Sequence, residues 1–279
     1  MNLLPPLQPA TDFAWNFAPS IIVMLLSQAA LYGYLLYIAR QDGRWGVDVK
    51  RRHPVWFALG LFTIFIALVS PIDDLSNRVS FAAHMVQHIL LAIAAPILLL
   101  LGTPGYWIAY LFRRPVLKTV LKIIVHPLIV LFTFNGVLWV WHLPALYQAA
   151  LADVNLHIIE HMTFLVTGVL LWAPVLHALP PDKPMGYLVK MAVLFFSMVS
   201  SSILAAIFTF AQSVAYPFYG TAMQVFGLTP LDDQQLAGAI MWVPGGGVFL
   251  FATLFAFAAW LNNEEKKGQA NYPPPPQAA

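Results

Sequence analysis

The chain contains no cysteine, which excludes disulfides, thiolate metal sites and dithiol redox chemistry. Any metal site must therefore be built from histidine, methionine or carboxylate. Charge is almost as scarce. Fourteen basic and 12 acidic residues among 279 leave a formal net charge of +2, too small and too scattered for a nucleic-acid surface, so no nucleic acid is expected as a partner. With 9% charged against 60% hydrophobic residues and a mean hydropathy of +0.74, the chain has too little polar surface to cover a water-soluble globule. The opening MNLLPPLQPATDFAW has no basic residue and contains three prolines, unlike a cleaved signal peptide, so the first apolar run is expected to remain in the mature protein.

What is present in quantity is long apolar sequence. A bilayer core about 30 Å thick needs roughly 20 apolar residues per helix, and irregular backbone cannot face lipid. The expectation is an all-α, polytopic membrane helical bundle of seven transmembrane helices, near residues 19–39, 54–70, 79–101, 127–141, 156–177, 187–210 and 234–261. Residues 1–18 form an N-terminal segment, 19–261 one membrane domain, and 262–279 a disordered, proline-rich tail. Gly268 onward, with four consecutive prolines after Tyr272, is expected not to be helical.

Basic residues alternate between the loops. Arg40, Arg44, Lys50, Arg51 and Arg52 share one loop, only Arg78 lies in the next, and Arg113, Arg114, Lys118 and Lys122 follow; a loop with none precedes Lys183, and Lys266 and Lys267 close the series. The positive-inside rule then puts the N-terminus outside and the C-terminus in the cytoplasm. A six-span count, with 127–141 re-entrant, would place the two basic loops on opposite sides. Trp15, Trp45, Trp56, Trp139, Trp141 and Trp260 fall near span ends as interfacial anchors. Pro96, Pro174 and Pro244 are expected to kink their spans, and Gly245, Gly246 and Gly247 to permit close helix approach.

Five of eight histidines map to the outer halves of spans: His84, His88, His142, His157 and His161. In FAAHMVQHILL and NLHIIEHMTFL a histidine pair is spaced i, i+4, so both rings share one helix face. Ionisable groups inside spans are costly and mark function, and neutral imidazole is the commonest nitrogen ligand for metals. Two such helices at similar depth are expected to enclose a metal ion. Asp73, Glu160 and Asp233 are read as supporting polar positions, with helix capping or a solvated loop as the alternative for the aspartates. Met85, Met162 and Met241 offer thioethers suited to Cu(I), although methionine also serves as packing. His53, His126 and His177 fall near basic loops and are read as interfacial.

The ordered set SPIDDLS, HMVQHILL followed by APILLLLGTP, WHLPALYQAAL with HIIEH, and YPFYG followed by DDQQLAGAIMWVPGG spans about residues 70 to 250. It resembles the polytopic CtaG-type cytochrome c oxidase assembly factors, as distinct from the single-span copper chaperone that shares the name. The resemblance implies a multi-pass protein of the bacterial plasma (inner) membrane that assembles the haem-copper oxidase of the respiratory chain by handling copper as a metallochaperone. It points to His84, His88, His142, His157 and His161, with Asp73 and Asp233 in support. The implied partners are oxidase subunits, lipid and a periplasmic copper donor, and no enzymatic activity is expected. Two rivals use the same residues: a haem-binding membrane cytochrome with axial histidines, and an intramembrane metalloprotease in which HIIEH supplies Glu160 as general base. A retinal protein is disfavoured because the last span has no lysine for a Schiff base.

The charge pattern is directly testable, because single cysteines in this cysteine-free chain report without background. Membrane-impermeant thiol reagents should reach cysteines placed near Asp73, Ala149 and Thr221 from outside, whereas labelling of the Arg113 to Lys122 loop from outside would sink the orientation.

Overall fold

The computed structural model describes residues 13–41, 49–177, 179–220 and 226–271, side chains of 269–271 excepted; Arg44, Trp45, Thr221 and the prolines after Tyr272 lie outside the described residues. The apolar runs form helices, as backbone groups without water require. In chain order these are α1 (Pro19–Gln41), α2 (Arg52–Leu68), α3 (Pro71–Arg78) and α4 (Phe81–Ile89), which passes through a π-helical turn (Leu90–Ala94) into α5 (Ala95–Gly102). Then come α6 (Gly105–Leu111), α7 (Pro115–Ile124), α8 (Pro127–Trp141), α9 (Pro144–Ala152), α10 (Val154–Leu176) and α11 (Tyr187–Thr209). A 3₁₀ turn (Pro217–Tyr219) leads to α12 (Pro230–Ile240), a second π-helical turn (Met241–Gly245) and α13 (Gly246–Asn271).

Five helices are long and apolar enough to cross a bilayer, and seven if each of two bent pairs counts as one span. The pairs are α2 with α3, bent by 42°, and α7 with α8, bent by 60°. Helix α8 matches the short fourth span expected, and at 1.5 Å per residue its 15 residues reach only about 22 Å. Helix α7 buries none of its residues and carries Lys118 and Lys122 opposite exposed Val116, Val120 and Ile123, the arrangement of a helix lying in an interface. Both lysines reach Asp182, at 3.3 and 2.5 Å, and Lys122 foremost holds that carboxyl below the ordinary aspartate range.

Large apolar side chains point outward along the spans, among them Leu26, Phe132, Phe196, Ile203 and Phe255. That surface would be a liability in water and is ordinary in lipid. The core is built by α4, α5, α8, α10, α11, α12 and α13, whereas α1 packs chiefly on α2 and is tied to α5 by Tyr32 Oη donating to Gly102 O at 2.6 Å. The short helices α3 and α9 and the 3₁₀ turn gather at the end of the bundle where α4, α10 and α12 begin, and they cover it.

Three sequence expectations change. Helix α13 continues to Asn271, so Gly268 does not end it; the N–H-free prolines lie farther on. His53 is buried rather than interfacial, its Nδ1 accepting from Lys50 N at 3.1 Å. The closest helix approaches are at Gly102, Gly168 and Gly238, not at Gly245 to Gly247. A Cβ on Gly168 would lie 2.3 Å from Ala92 O, where α10 crosses the first π-helical turn, and one on Gly238 would lie 2.7 Å from Ala205 O on α11. Pro96 brings no N–H toward Ala92 O, so the carbonyl that faces Gly168 belongs to a locally opened helix.

That contact generates a stability prediction. Gly168→Ala should cost about 1–3 kcal/mol, because backbone of α10 and the π-helical turn must separate. Gly33→Ala, where a Cβ meets open space, should leave melting in detergent unchanged or slightly raised. Equal melting of the two variants would show that close approach at Gly168 is dispensable.

Candidate metal centre

The centre begins with the helix that carries its first pair. Ser80 caps α4 by accepting from Ala83 N at 3.1 Å. Its own hydroxyl donates to Asp233 Oδ1 at 2.7 Å, and Phe81 N donates to Asp233 Oδ2 at 2.6 Å. Asp233 therefore neutralises the N-terminus of α4, not of its own helix, whose capping box is made by Thr229 and Asp232. Nearly two turns further, Gln87 Nε2 donates to Ala67 O at 2.8 Å and to Asp73 Oδ1 at 2.9 Å, while Asp73 Oδ2 accepts from Asn16 Nδ2 at 2.8 Å. The two aspartates are thus buried anchors that lock α4 between α2, α3 and α12.

On this fixed helix His84 and His88 lean together, ring centroids 4.2 Å apart and Nε2 atoms 2.7 Å apart. His157 and His161 repeat the device on α10 at 4.1 Å. The pairs interlock: His84 lies 5.4 Å from His157 and 6.0 Å from His161, and His88 lies 5.6 Å from His161. Two overlapping ligand groups result, His84 with His88 and His161, and His84 with His157 and Glu160, the ligand atoms of each within 4.8 Å of one another. Glu160 is fully buried; Oε1 lies 3.5 Å from His88 Nε2 and Oε2 lies 4.0 Å from His157 Nε2.

Proton counting fixes the state of His84. Tyr219 Oη donates its only hydrogen to Ser76 O at 3.0 Å, and so accepts from Tyr147 Oη at 2.7 Å and from His84 Nδ1 at 3.0 Å. The hydrogen of His84 thus sits on Nδ1, leaving the Nε2 lone pair turned into the cluster. Around it His88 Nδ1, His157 Nε2, His161 Nε2 and both Glu160 oxygens are buried without a hydrogen-bond partner. Buried polar groups are nearly always paired, so this concentration of unpaired atoms makes the cluster the candidate site. His157 is the least buried member of the cluster, 12% exposed.

The other expected residues are sorted by the fold. His142 stands apart from both ligand groups, donating from Nδ1 to Leu138 O at 2.7 Å with Nε2 3.5 Å from Met85 Sδ. Met241 is buried nearby, whereas Met162 is 41% exposed on the lipid side and cannot join. Sequence reading assigned no role to Gln87, Tyr147 or Tyr219, although each lies in a motif it had singled out. Their signal was a hydrogen-bonding group in a stretch otherwise fit for lipid.

Fold and site together define a multi-pass membrane protein with a buried polyhistidine and carboxylate centre at one end of its bundle. The chain belongs to the cytochrome c oxidase caa3 assembly factor family, whose model matches residues 30–263. No curated protein matches the chain, and no solved structure does.

Asp233 gives the measurable consequence. Asp233→Asn replaces one acceptor oxygen by a donor facing either Ser80 Oγ or Phe81 N and removes the charge at the α4 N-terminus, and should cost about 1–2 kcal/mol. Asp232→Ala, which loses a solvent-exposed box, should cost about 1 kcal/mol or less. The order of the two in thermal melting checks the assignment.

Proposed function

We propose that this protein binds copper among His84, His88, His157, His161 and Glu160 and delivers it to a copper centre of the haem-copper oxidase, working at the outer face of the bacterial plasma membrane. Counting each bent pair as one span would make seven, an odd number consistent with the opposite sides that the loop charges favour for the two termini. The observation that carries the reading is the buried set of nitrogen and carboxylate atoms, within 4.8 Å of one another in each group, with His157 Nε2, His161 Nε2 and both Glu160 oxygens lacking a hydrogen-bond partner. Imidazole suits copper, and a cysteine-free site lacks the thiolate that would retain Cu(I) most firmly, as befits a donor. A periplasmic donor would load the site past His157. In this reading the chain carries the ion and performs no catalytic step.

The rivals fit less well. The ring centroids of the two pairs lie 5.4 to 6.0 Å apart in a closely packed cluster, and the adjoining cavity of only about 40 Å³ has no room for a haem macrocycle. Glu160 stands among the ligands of its group rather than beyond them, where a protease would need its general base.

If these residues share one shell, each of His84→Ala, His88→Ala, His157→Ala and His161→Ala should lose much of the bound copper, and the His84→Ala/His161→Ala double should add little. Four separate structural histidines would instead lower melting additively. Tyr219→Phe removes the acceptor that holds the His84 tautomer and should weaken copper about 10–100-fold. Since imidazole binds metal only when neutral, affinity should fall on acidification as protons compete for the ring nitrogens. Copper stoichiometry and detergent melting at two pH values decide; full copper in every single variant with lowered melting would make these histidines packing residues.

A further inference from the structure

Behind the histidine cluster lies a cavity of about 40 Å³ whose wall includes Met85, His88, Phe134, His142, Ser201 and Met241. Its geometry poses a problem of hydrogen counting. Leu138 O can only accept, so the hydrogen of a neutral His142 ring sits on Nδ1 and the lone pair of Nε2 points at Met85 Sδ, 3.5 Å away. Thioether sulfur carries no hydrogen either. Two electron-pair donors thus meet in a buried place with nothing between them, and charging the ring instead would put an imidazolium against apolar walls. His142 is also held by its backbone, whose carbonyl accepts from Tyr216 Oη at 2.7 Å, so the ring cannot simply swing away.

We infer a second metal subsite here, formed by Met85, His142 and Met241 and selective for a soft monovalent ion, Cu(I). The inference rests on the copper reading of the histidine cluster and deepens it. A single ion bonded to nitrogen at about 2.0 Å and to sulfur at about 2.3 Å spans separations up to about 4 Å, and the observed 3.5 Å lies inside that reach. Met241 closes the site from the opposite helix, at the π-helical turn that follows α12, and is 6% exposed. Thioether and imidazole together favour Cu(I) over harder cations. His88 belongs to both places. Its Nε2 faces His84 at 2.7 Å, it lines the cavity, its Nδ1 has no partner, and its ring centroid lies 6.1 Å from that of His142. The ion passes between a nitrogen and carboxylate site and a nitrogen and sulfur site by exchange at His88, staying Cu(I) throughout, so no electron is transferred. Two adjacent subsites of different softness hold the metal without letting either hold it too firmly.

The test uses the full-length protein in detergent, titrated anaerobically with Cu(I) and, separately, with redox-inert Ag(I), and read by metal analysis and X-ray absorption. Wild type should show sulfur in part of the metal's coordination shell. Met85→Leu and Met241→Leu, which conserve volume and should melt near wild type, should each lose the sulfur-bound fraction and keep the nitrogen-bound one; Met162→Leu should change nothing. Metal bound by nitrogen and oxygen alone in wild type, unchanged by either substitution, would overturn the second subsite and leave the histidine site standing. Sulfur-bound metal that survives His84→Ala and His161→Ala without loss of stoichiometry would sustain the subsite and overturn the histidine site. No metal bound by wild type overturns both.

Discussion

Everything in this molecule turns on the cost of keeping polar atoms out of water inside a lipid-dissolved bundle. An ionisable group in a span costs about 2.5–3.5 kcal/mol at its centre on insertion scales, and each buried acceptor left without a donor adds roughly 1–3 kcal/mol. The chain concentrates much of that cost at one end, in four imidazoles, a glutamate and two aspartates, while aliphatic and aromatic side chains make up most of the remaining core. The aspartates are satisfied and the glutamate is not. That difference separates the residues that build the centre from those that face a ligand.

The satisfied groups form a frame. Asp233 and Gln87 act nearly two turns apart along α4, one on its free N–H end and the other on its flank, which holds α4 against fraying and rotation. Tyr219 and Tyr147 then fix the tautomer of His84 from the short elements that cover the bundle end. Below the histidines the π-helical turn and Gly168 bring α10 close enough for the second pair to interlock with the first. In the proposed reading, preorganisation of this kind serves a site that binds and then releases its ion: the ligands would not collapse onto one another, because their other atoms are already engaged or their helices are pinned.

The proposed pairing of a histidine and carboxylate site with a histidine and methionine site would give the family to which this chain belongs a graded path for copper. Its economy lies in reusing helix α4, which supplies His84 and His88 to one site and Met85 to the other, one residue from His84 and so turned by about 100° around the helix. The cavity between α4, α8 and the second π-helical turn is what this rotation opens onto.

Much was legible in the sequence because lipid imposes simple rules. Apolar run lengths set where the helices lie, as α8 and α11 show, and the i, i+4 spacing of His84 with His88 and of His157 with His161 dictates two faces of paired imidazoles. What spacing cannot supply is which faces meet. Asp233 is 153 residues from Ser80 and Tyr219 is 135 from His84, and only the packing of α12 and the 3₁₀ turn against α4 turned an apparent cap into an anchor and an unremarked tyrosine into the group that sets a proton. Likewise Met85 and Met162 were equal candidates as letters, but the tertiary structure sent one to a cavity beside His142 and the other to the outer surface. Periodicity is a property of one helix and follows from local geometry; the convergence of lone pairs is a property of several, and arises only where close contacts such as Gly168 on Ala92 fix their depth and rotation.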